Sequence, residues 1–166
     1  PPRSTLFPYT TLFRSEGDNP NITKDYFSEK YKSINADLII LRHVLEHIEK
    51  PYEFLTHIQN ATSKDTKILI EVPDFEWIVE NRAFWDIFYE HCNYFDATFL
   101  SSFFVDATTK KVFGSQYLLM LASLDELRKP YVKHRYPKNI FEESFRNIKE
   151  FLSHHKIGRA SCRERV

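Results

Sequence analysis

The clearest regular pattern along the chain is a pair of short apolar runs separated by a segment with helical spacing. Residues 37–41, DLIIL, and residues 67–72, KILIEV, are uninterrupted apolar stretches of the kind found in buried parallel strands. Between them, Pro51 suits the first position of a helix, and apolar residues recur at helical spacing through PYEFLTHIQNA. This order predicts two parallel strands joined by a helical crossover in an open α/β sheet.

The pattern changes after the second predicted strand. Residues 75–95 are rich in aromatic side chains, and a helix is predicted to follow Asp96. Its apolar face would consist of Phe99, Leu100, Phe103 and Phe104. The segment KKVFGSQYLLMLA then predicts two antiparallel strands around Gly114-Ser115, and glycine at the first central position favours a type II′ turn. The sheet is therefore expected to end in an antiparallel hairpin, and Asn139 is expected to cap a last helix.

Both ends of the chain resemble translated sequencing adaptor. Residues 5–15, TLFPYTTLFRS, and residues 157–166, IGRASCRERV, are what one common adaptor string and its reverse complement encode. The alternative is an apolar N-terminal segment and a basic C-terminal tail that evolved as such. We expect residues 1–15 and 157–166 to be adaptor-derived tails, and the remainder to be a gene fragment whose true termini are both missing.

Leaving the tails out changes the charge of the chain. The whole sequence has 23 basic and 23 acidic residues, but five arginines and one glutamate lie in the tails, which leaves 18 basic and 22 acidic residues. A formal charge of −4 gives no general reason to expect nucleic acid or an anionic membrane as a partner. Cys92 is the one cysteine outside the tails, so we expect no internal disulfide and a cytoplasmic location. No apolar run is long enough to span a membrane.

Two Glu-His pairs follow the predicted strands. Glu46-His47 lies in LRHVLEHI, and Glu90-His91 lies in FYEHCNYF. Each pair comes a few residues beyond an apolar run, and open α/β sheets place their ligand-binding and catalytic groups at that end of the strands. The pairs are therefore the leading candidates for functional chemistry.

Three segments in order, DLIILRHVLEHI, ILIEVPDFEWIVEN and FYEHCNYFDATFL, resemble the second half of a class I S-adenosylmethionine-dependent methyltransferase. The resemblance is strongest to the group that contains sugar C-methyltransferases, and it covers about residues 36–122. It implies a Rossmann-like sheet that is truncated at its N-terminus. Residues 16–122 would form a partial methyltransferase domain, and residues 123–156 a linker and the start of a following helical segment.

The resemblance also implies a cofactor site that this chain holds only in part. Methyltransferases of this class bind the methionine part of S-adenosylmethionine with a Gly-rich loop after the first strand. No such loop can be drawn here, because the three glycines are Gly17, Gly114 and Gly158. We expect that part of the enzyme to lie upstream, and this chain alone to bind the cofactor poorly and to be inactive.

The first Glu-His pair is expected on the cofactor side. In the family, the loop after this strand lines the adenosine and the methyl donor, so Arg42 and His43 are the predicted cofactor-binding residues. The alternative is a charged turn between strand and helix. The spacing of His43 and His47 also fits the H-x-x-E-H pattern of zinc peptidases. That pattern needs a helix through His43, where only a short loop fits, so no metal is expected.

The second pair, Glu90 and His91, is the predicted catalytic pair. Carbon methylation needs a base that removes a proton next to a carbonyl, and a histidine with its ordinary pKa of ~6.5 is suited to that. Related sugar C-methyltransferases carry these roles on a Y-x-E-H pattern. Here Phe88 occupies the tyrosine position, and the tyrosine is Tyr89 instead.

Tyr89 and Tyr94 are the predicted substrate-binding residues, within an aromatic stretch that could stack on a sugar or a base. Two structural alternatives stand beside these roles. Glu90 and His91 could merely tie a loop to the core, and the aromatic side chains could be core and lid packing.

The sequence therefore predicts part of an enzyme that transfers a methyl group from S-adenosylmethionine to carbon of a small molecule, a nucleotide-linked sugar. An oxygen or nitrogen acceptor in the same fold is the first alternative, and a non-catalytic scaffold domain is the second. The sequence indicates no particular oligomeric state.

Overall fold

One open sheet of four strands organises the part of the chain that the computed structural model describes, namely residues 36–87 and 89–131 with Phe27, Tyr31 and Ile34. The strands are β1 (Leu38–Arg42), β2 (Lys67–Pro73), β3 (Ala107–Val112) and β4 (Tyr117–Ser123). They lie in the order β1-β2-β4-β3. Strands β1 and β2 are parallel, whereas β4 is antiparallel to both β2 and β3. The predicted α/β sheet with an antiparallel end is confirmed.

Short helices connect the strands. They are α1 (Pro51–Ala61), α2 (Phe75–Glu80) and α3 (Ala97–Ser101), with single 3-10 turns at Leu45–His47, Phe84–Asp86 and Leu124–Glu126. Helix α1 begins at Pro51 and coincides with the predicted segment. Asp96 caps α3, because its side chain accepts a hydrogen bond from the Phe99 amide at 2.8 Å. That helix ends at Ser101, so it is shorter than its apolar pattern predicted, although Phe103 and Phe104 beyond it are buried.

The core lies against one face of the sheet. Residues of β1, β2 and β4 that are neighbours in the register, such as Leu41, Ile70 and Met120, point to that face and are buried. Helices and loops cover them with apolar side chains. The buried members from these covering segments are Leu45, Leu55, Ile58, Phe95, Leu100, Phe103, Phe104 and Leu124.

The opposite face of the sheet carries an apolar row that is only partly covered. Ile40 of β1 pairs with Leu69 of β2, which pairs with Leu121 of β4, so the three side chains lie side by side. Ile40 is 54% exposed and Leu121 is 45% exposed. Parallel sheets are normally covered on both faces, so this open apolar row is an unusual surface.

The hairpin between β3 and β4 turns at Gly114 and Ser115, as predicted, but the turn type is different. The Gln116 amide donates to the Phe113 carbonyl at 3.3 Å, which closes a turn with Gly114 and Ser115 at its centre. Their φ angles are 65° and 72°, and two positive central φ angles define a type I′ turn. The predicted type II′ turn was wrong, because it requires a positive φ at the first central residue alone.

The predicted helix at Asn139, the linker from residue 132 onward and both adaptor-like tails lie outside the described residues. Among the helices that the structure does describe, none has the length and apolar character needed to cross a membrane.

Candidate active site

A cluster of charged side chains lies where β1 and β2 end. Arg42 is the last residue of β1 and is the register partner of Glu71 on β2. Its Nε and Nη2 atoms donate to Glu71 Oε1 at 3.1 and 3.0 Å. The Nε2 atom of His43 lies 3.2 Å from the same oxygen. Because Glu71 is buried, these two side chains supply the positive charge that its carboxylate needs.

His43 joins this cluster to the first Glu-His pair. Its backbone is left-handed, with a φ of 51°, and its Nδ1 atom lies 3.4 Å from Glu46 Oε1. The imidazole thus lies between the carboxylates of Glu46 and Glu71. The hydrogen bond to Glu46 is the main reason that the pKa of His43 is raised above its ordinary value, and burial partly opposes it. The predicted cofactor-side residues Arg42 and His43 thus lie together at the strand end, and the raised pKa of His43 favours its charged form.

Glu46 and His47 lie in the 3-10 turn that follows β1. Glu46 is 1% exposed, and its Oε2 atom is buried without a hydrogen-bond partner. His47 Nδ1 lies 2.9 Å from the Glu90 carbonyl oxygen. A carbonyl oxygen only accepts hydrogen bonds, so Nδ1 carries the proton and, in the neutral ring, Nε2 is the acceptor. That Nε2 atom lies 4.0 Å from Glu46 Oε1.

The fold brings the two Glu-His pairs into contact. The rings of His47 and His91 meet edge to face, with centroids 4.9 Å apart. Asn93 fixes this arrangement, because its amide donates to the Glu46 carbonyl at 3.1 Å and its Nδ2 donates to the Ile48 carbonyl at 2.6 Å. The pairs were predicted on separate sides of the site, and the structure joins them in one cluster.

The protonation state of His91, the histidine of the second Glu-His pair, is set by burial and by nearby charges. Burial lowers its pKa below the ordinary value, whereas the charge of Glu46 raises it and is the largest opposing effect. The neutral ring is therefore the prevailing form at neutral pH, as a proton acceptor requires.

Of the two predicted substrate-binding tyrosines, one lies in the site and the other on the surface. Tyr94 lies beside His91, with ring centroids 6.0 Å apart. Tyr89 is 89% exposed, and its hydroxyl donates to Glu90 Oε1 at 3.0 Å. The Glu90 carboxylate thus pairs with Tyr89, and it is the Glu90 backbone carbonyl that orients His47.

The zinc-peptidase pattern requires His43 and His47 on one face of a helix. His43 and His47 do not lie on one helical face, because the helical turn begins at Leu45, after the left-handed His43. Glu46, His47 and His91 each offer a donor atom, and the three atoms lie within 4.8 Å of one another. Such a group could hold a metal ion, and the expectation of no metal stays a prediction.

Sequence reasoning missed one carboxylate and one contact that hold the site together. Glu71 was treated as part of an apolar strand, and Glu46 was a candidate without a predicted contact to His91. A signal for Glu71 existed, because a single charged residue near the end of a buried run must find a partner. The junction of Glu46 with His91 carried no such signal, since it joins residues 45 positions apart.

Comparison with known proteins gives a family and likenesses to solved structures. The sequence model of the family described as "Methyltransferase domain" matches residues 9–107 of this chain. A crystal structure from Nostoc punctiforme PCC 73102, of a protein named as an O-methyltransferase, is 19% identical, with a TM-score of 0.42. The likeness covers 56% of this chain and 33% of that one, so this chain spans about a third of its length. None of the curated proteins matches. The family match begins within the segment predicted to be adaptor-derived, and that origin stays a prediction.

Proposed function

Because this chain belongs to the methyltransferase domain family, we propose that it is part of an enzyme that methylates carbon of a nucleotide-linked sugar with S-adenosylmethionine. The observation that carries the proposal is the position of His91. It lies in the cluster beyond the ends of β1 and β2, next to a buried carboxylate and an aromatic ring, Tyr94. This is the end of an open α/β sheet at which ligands bind.

His91 is proposed as the general base. Removal of a proton next to a carbonyl produces the carbon nucleophile, and the base must be neutral before it accepts that proton. Burial keeps the pKa of His91 below its ordinary value, so the neutral ring is available. After the transfer, the negative charge of Glu46 stabilises the imidazolium that forms.

Glu90 and the tyrosines are proposed to act around this base. The Glu90 carbonyl orients His47 against the His91 ring, and its carboxylate with Tyr89 forms a polar, exposed rim. Tyr94, whose ring also contacts Phe75 with centroids 5.7 Å apart, offers an aromatic wall. The polar rim is suited to the hydroxyl groups of a sugar, and the aromatic wall is suited to stacking against a sugar or base ring.

The residues present fit one part of the cofactor. The exposed guanidinium of Arg42 can stack on an adenine ring, which agrees with its predicted cofactor side. The glycines of the sequence form no Gly-rich loop for the methionine part. When bound, the cofactor supplies the electrophilic methyl group, and the roles proposed for this chain concern the acceptor and its proton.

The test requires the complete enzyme that contains this domain. His91→Gln is expected to lower turnover by about 100-fold or more, the usual contribution of a general base, while substrate binding is retained. His57→Gln on helix α1 is the matched control, because that histidine lies outside the site. Full turnover of His91→Gln would remove His91 from the mechanism.

A second measurement separates carbon from oxygen or nitrogen methylation. An enzyme that uses His91 to form a carbanion should exchange the acceptor C–H proton with deuterated water when the methyl donor is absent. Exchange that depends on His91 supports the carbon acceptor. Methylation without any such exchange would favour an oxygen or nitrogen acceptor.

A further inference from the structure

The Glu46 carboxylate lies among three histidines. Its Oε1 atom is 3.4 Å from His43 Nδ1 and 4.0 Å from His47 Nε2, and a donor atom of His91 lies within 4.8 Å. A carboxylate that is 1% exposed is costly unless a positive charge compensates it. A proton on one of these rings supplies such a charge.

His47 is held from the other side, because its Nδ1 atom donates to the Glu90 carbonyl while its Nε2 atom faces Glu46. His43 and His91, which belong to the two sides of the site, both lie near the same carboxylate. His43 faces Arg42 and Glu71 as well, whereas His91 faces His47, Glu90 and the backbone of Asp86.

We propose that Glu46 is a positioning residue that links the two sides of the site, because its single carboxylate stabilises a proton on His43 or, in competition with it, on His91. Glu46 thereby connects the charge state of the strand end to the strength of the base. The catalytic meaning of this link rests on the proposed role of His91, but the link itself does not.

The directions of the histidine shifts agree with this geometry. The pKa of His43 is raised chiefly by its hydrogen bond to Glu46. The pKa of His91 is lowered chiefly by burial, and Glu46 exceeds Glu90 among the charges that oppose this shift. The proton is thus expected on His43 first, with His91 as the second acceptor.

The experiment is an NMR titration of the imidazole signals of the full 166-residue chain. Glu46→Gln should lower the pKa of both His43 and His91. Glu90→Gln is the matched control, because it removes the carboxylate of the other pair and should lower the pKa of His91 by less. His43→Asn should raise the pKa of His91, since a competing positive charge is removed. Asparagine is chosen because it tolerates the left-handed backbone at this position.

The link is overturned if Glu46→Gln shifts the pKa of His91 by no more than Glu90→Gln does. If Glu46→Gln does not fold, His43→Asn decides alone, and an unchanged or lowered pKa of His91 overturns the link. These titrations are independent of turnover. A fully active His91→Gln enzyme would refute the base and leave the link intact, whereas an inactive one with uncoupled histidines would do the reverse.

Discussion

The His43 imidazole lies between two buried carboxylates, and each of its nitrogens is within 3.4 Å of a glutamate oxygen. Its ring also meets Tyr117 edge to face, with centroids 4.9 Å apart. A proton on this ring therefore stabilises the folded protein through Glu46 and Glu71 together. The stabilisation is lost when the imidazole releases this proton, so it depends on pH.

The direction of that dependence follows from the raised pKa of His43. A group that binds its proton more tightly when folded contributes its full stabilisation below its unfolded-state pKa, near 6.5, and loses it as pH rises through the folded-state pKa. His43→Asn should therefore reduce the free energy of unfolding more at about pH 6 than at about pH 9. Urea unfolding of both proteins at the two pH values measures this. An equal loss at both would show that His43 acts through packing alone.

At the scale of elements, one ion pair ties the hairpin to helix α2. Asp74 is fully buried, caps α2 by accepting from the Glu76 amide at 3.1 Å, and lies 2.7 Å from Lys111 Nζ on β3. Glu76 Oε2 lies 3.0 Å from the same amine. The hydrogen bond to Asp74 is the main reason that the pKa of Lys111 is raised. The hairpin thus contributes the charge that a buried helix cap requires.

Lys111→Met is expected to destabilise the protein by about 2 kcal/mol, because it leaves the buried Asp74 carboxylate without its cation. The partial exposure of Lys111 keeps the loss below that of a fully buried pair. Lys110→Met is the matched control, since the neighbouring lysine is exposed on the same strand. Thermal unfolding of the two variants should differ clearly, and similar midpoints would contradict the role of the ion pair.

The elements themselves could be predicted from the sequence because each rests on a local pattern. The apolar runs, the helical spacing after Pro51 and the glycine at the hairpin are visible within a few residues. The turn type was missed because it depends on the φ of Ser115, which is positive although serine rarely adopts that conformation. The contacts among Glu46, His47 and His91 could not be predicted, since they arise only when distant segments pack.

At the scale of the whole molecule, the open apolar row is the feature of the described residues that bears most directly on association between chains. Ile40, Leu69 and Leu121 cross three strands on the face opposite the core, and β1 is the outer strand at one side of the sheet that the structure describes. Exposed apolar rows and unpaired strand edges both favour association between chains. We therefore expect association between chains to begin at this row.

Ile40→Thr is expected to raise the concentration at which the protein begins to associate, because it interrupts the row while keeping a β-branched residue in the strand. Val105→Thr is the control, since Val105 is 66% exposed but belongs to no strand. Light scattering over a concentration series compares the two. If both variants began to associate at the same concentration, the surface through which the chains associate would lie outside the apolar row.

The charged group at the end of β1 has a calorimetric consequence. With His43 protonated, Arg42 and His43 balance Glu46 and Glu71, so the four side chains are neutral together. A positively charged ligand that settles beside them disturbs that balance, and His43 can restore it by releasing its proton to the solvent. Binding at this edge would then carry a heat that changes with the ionisation enthalpy of the buffer.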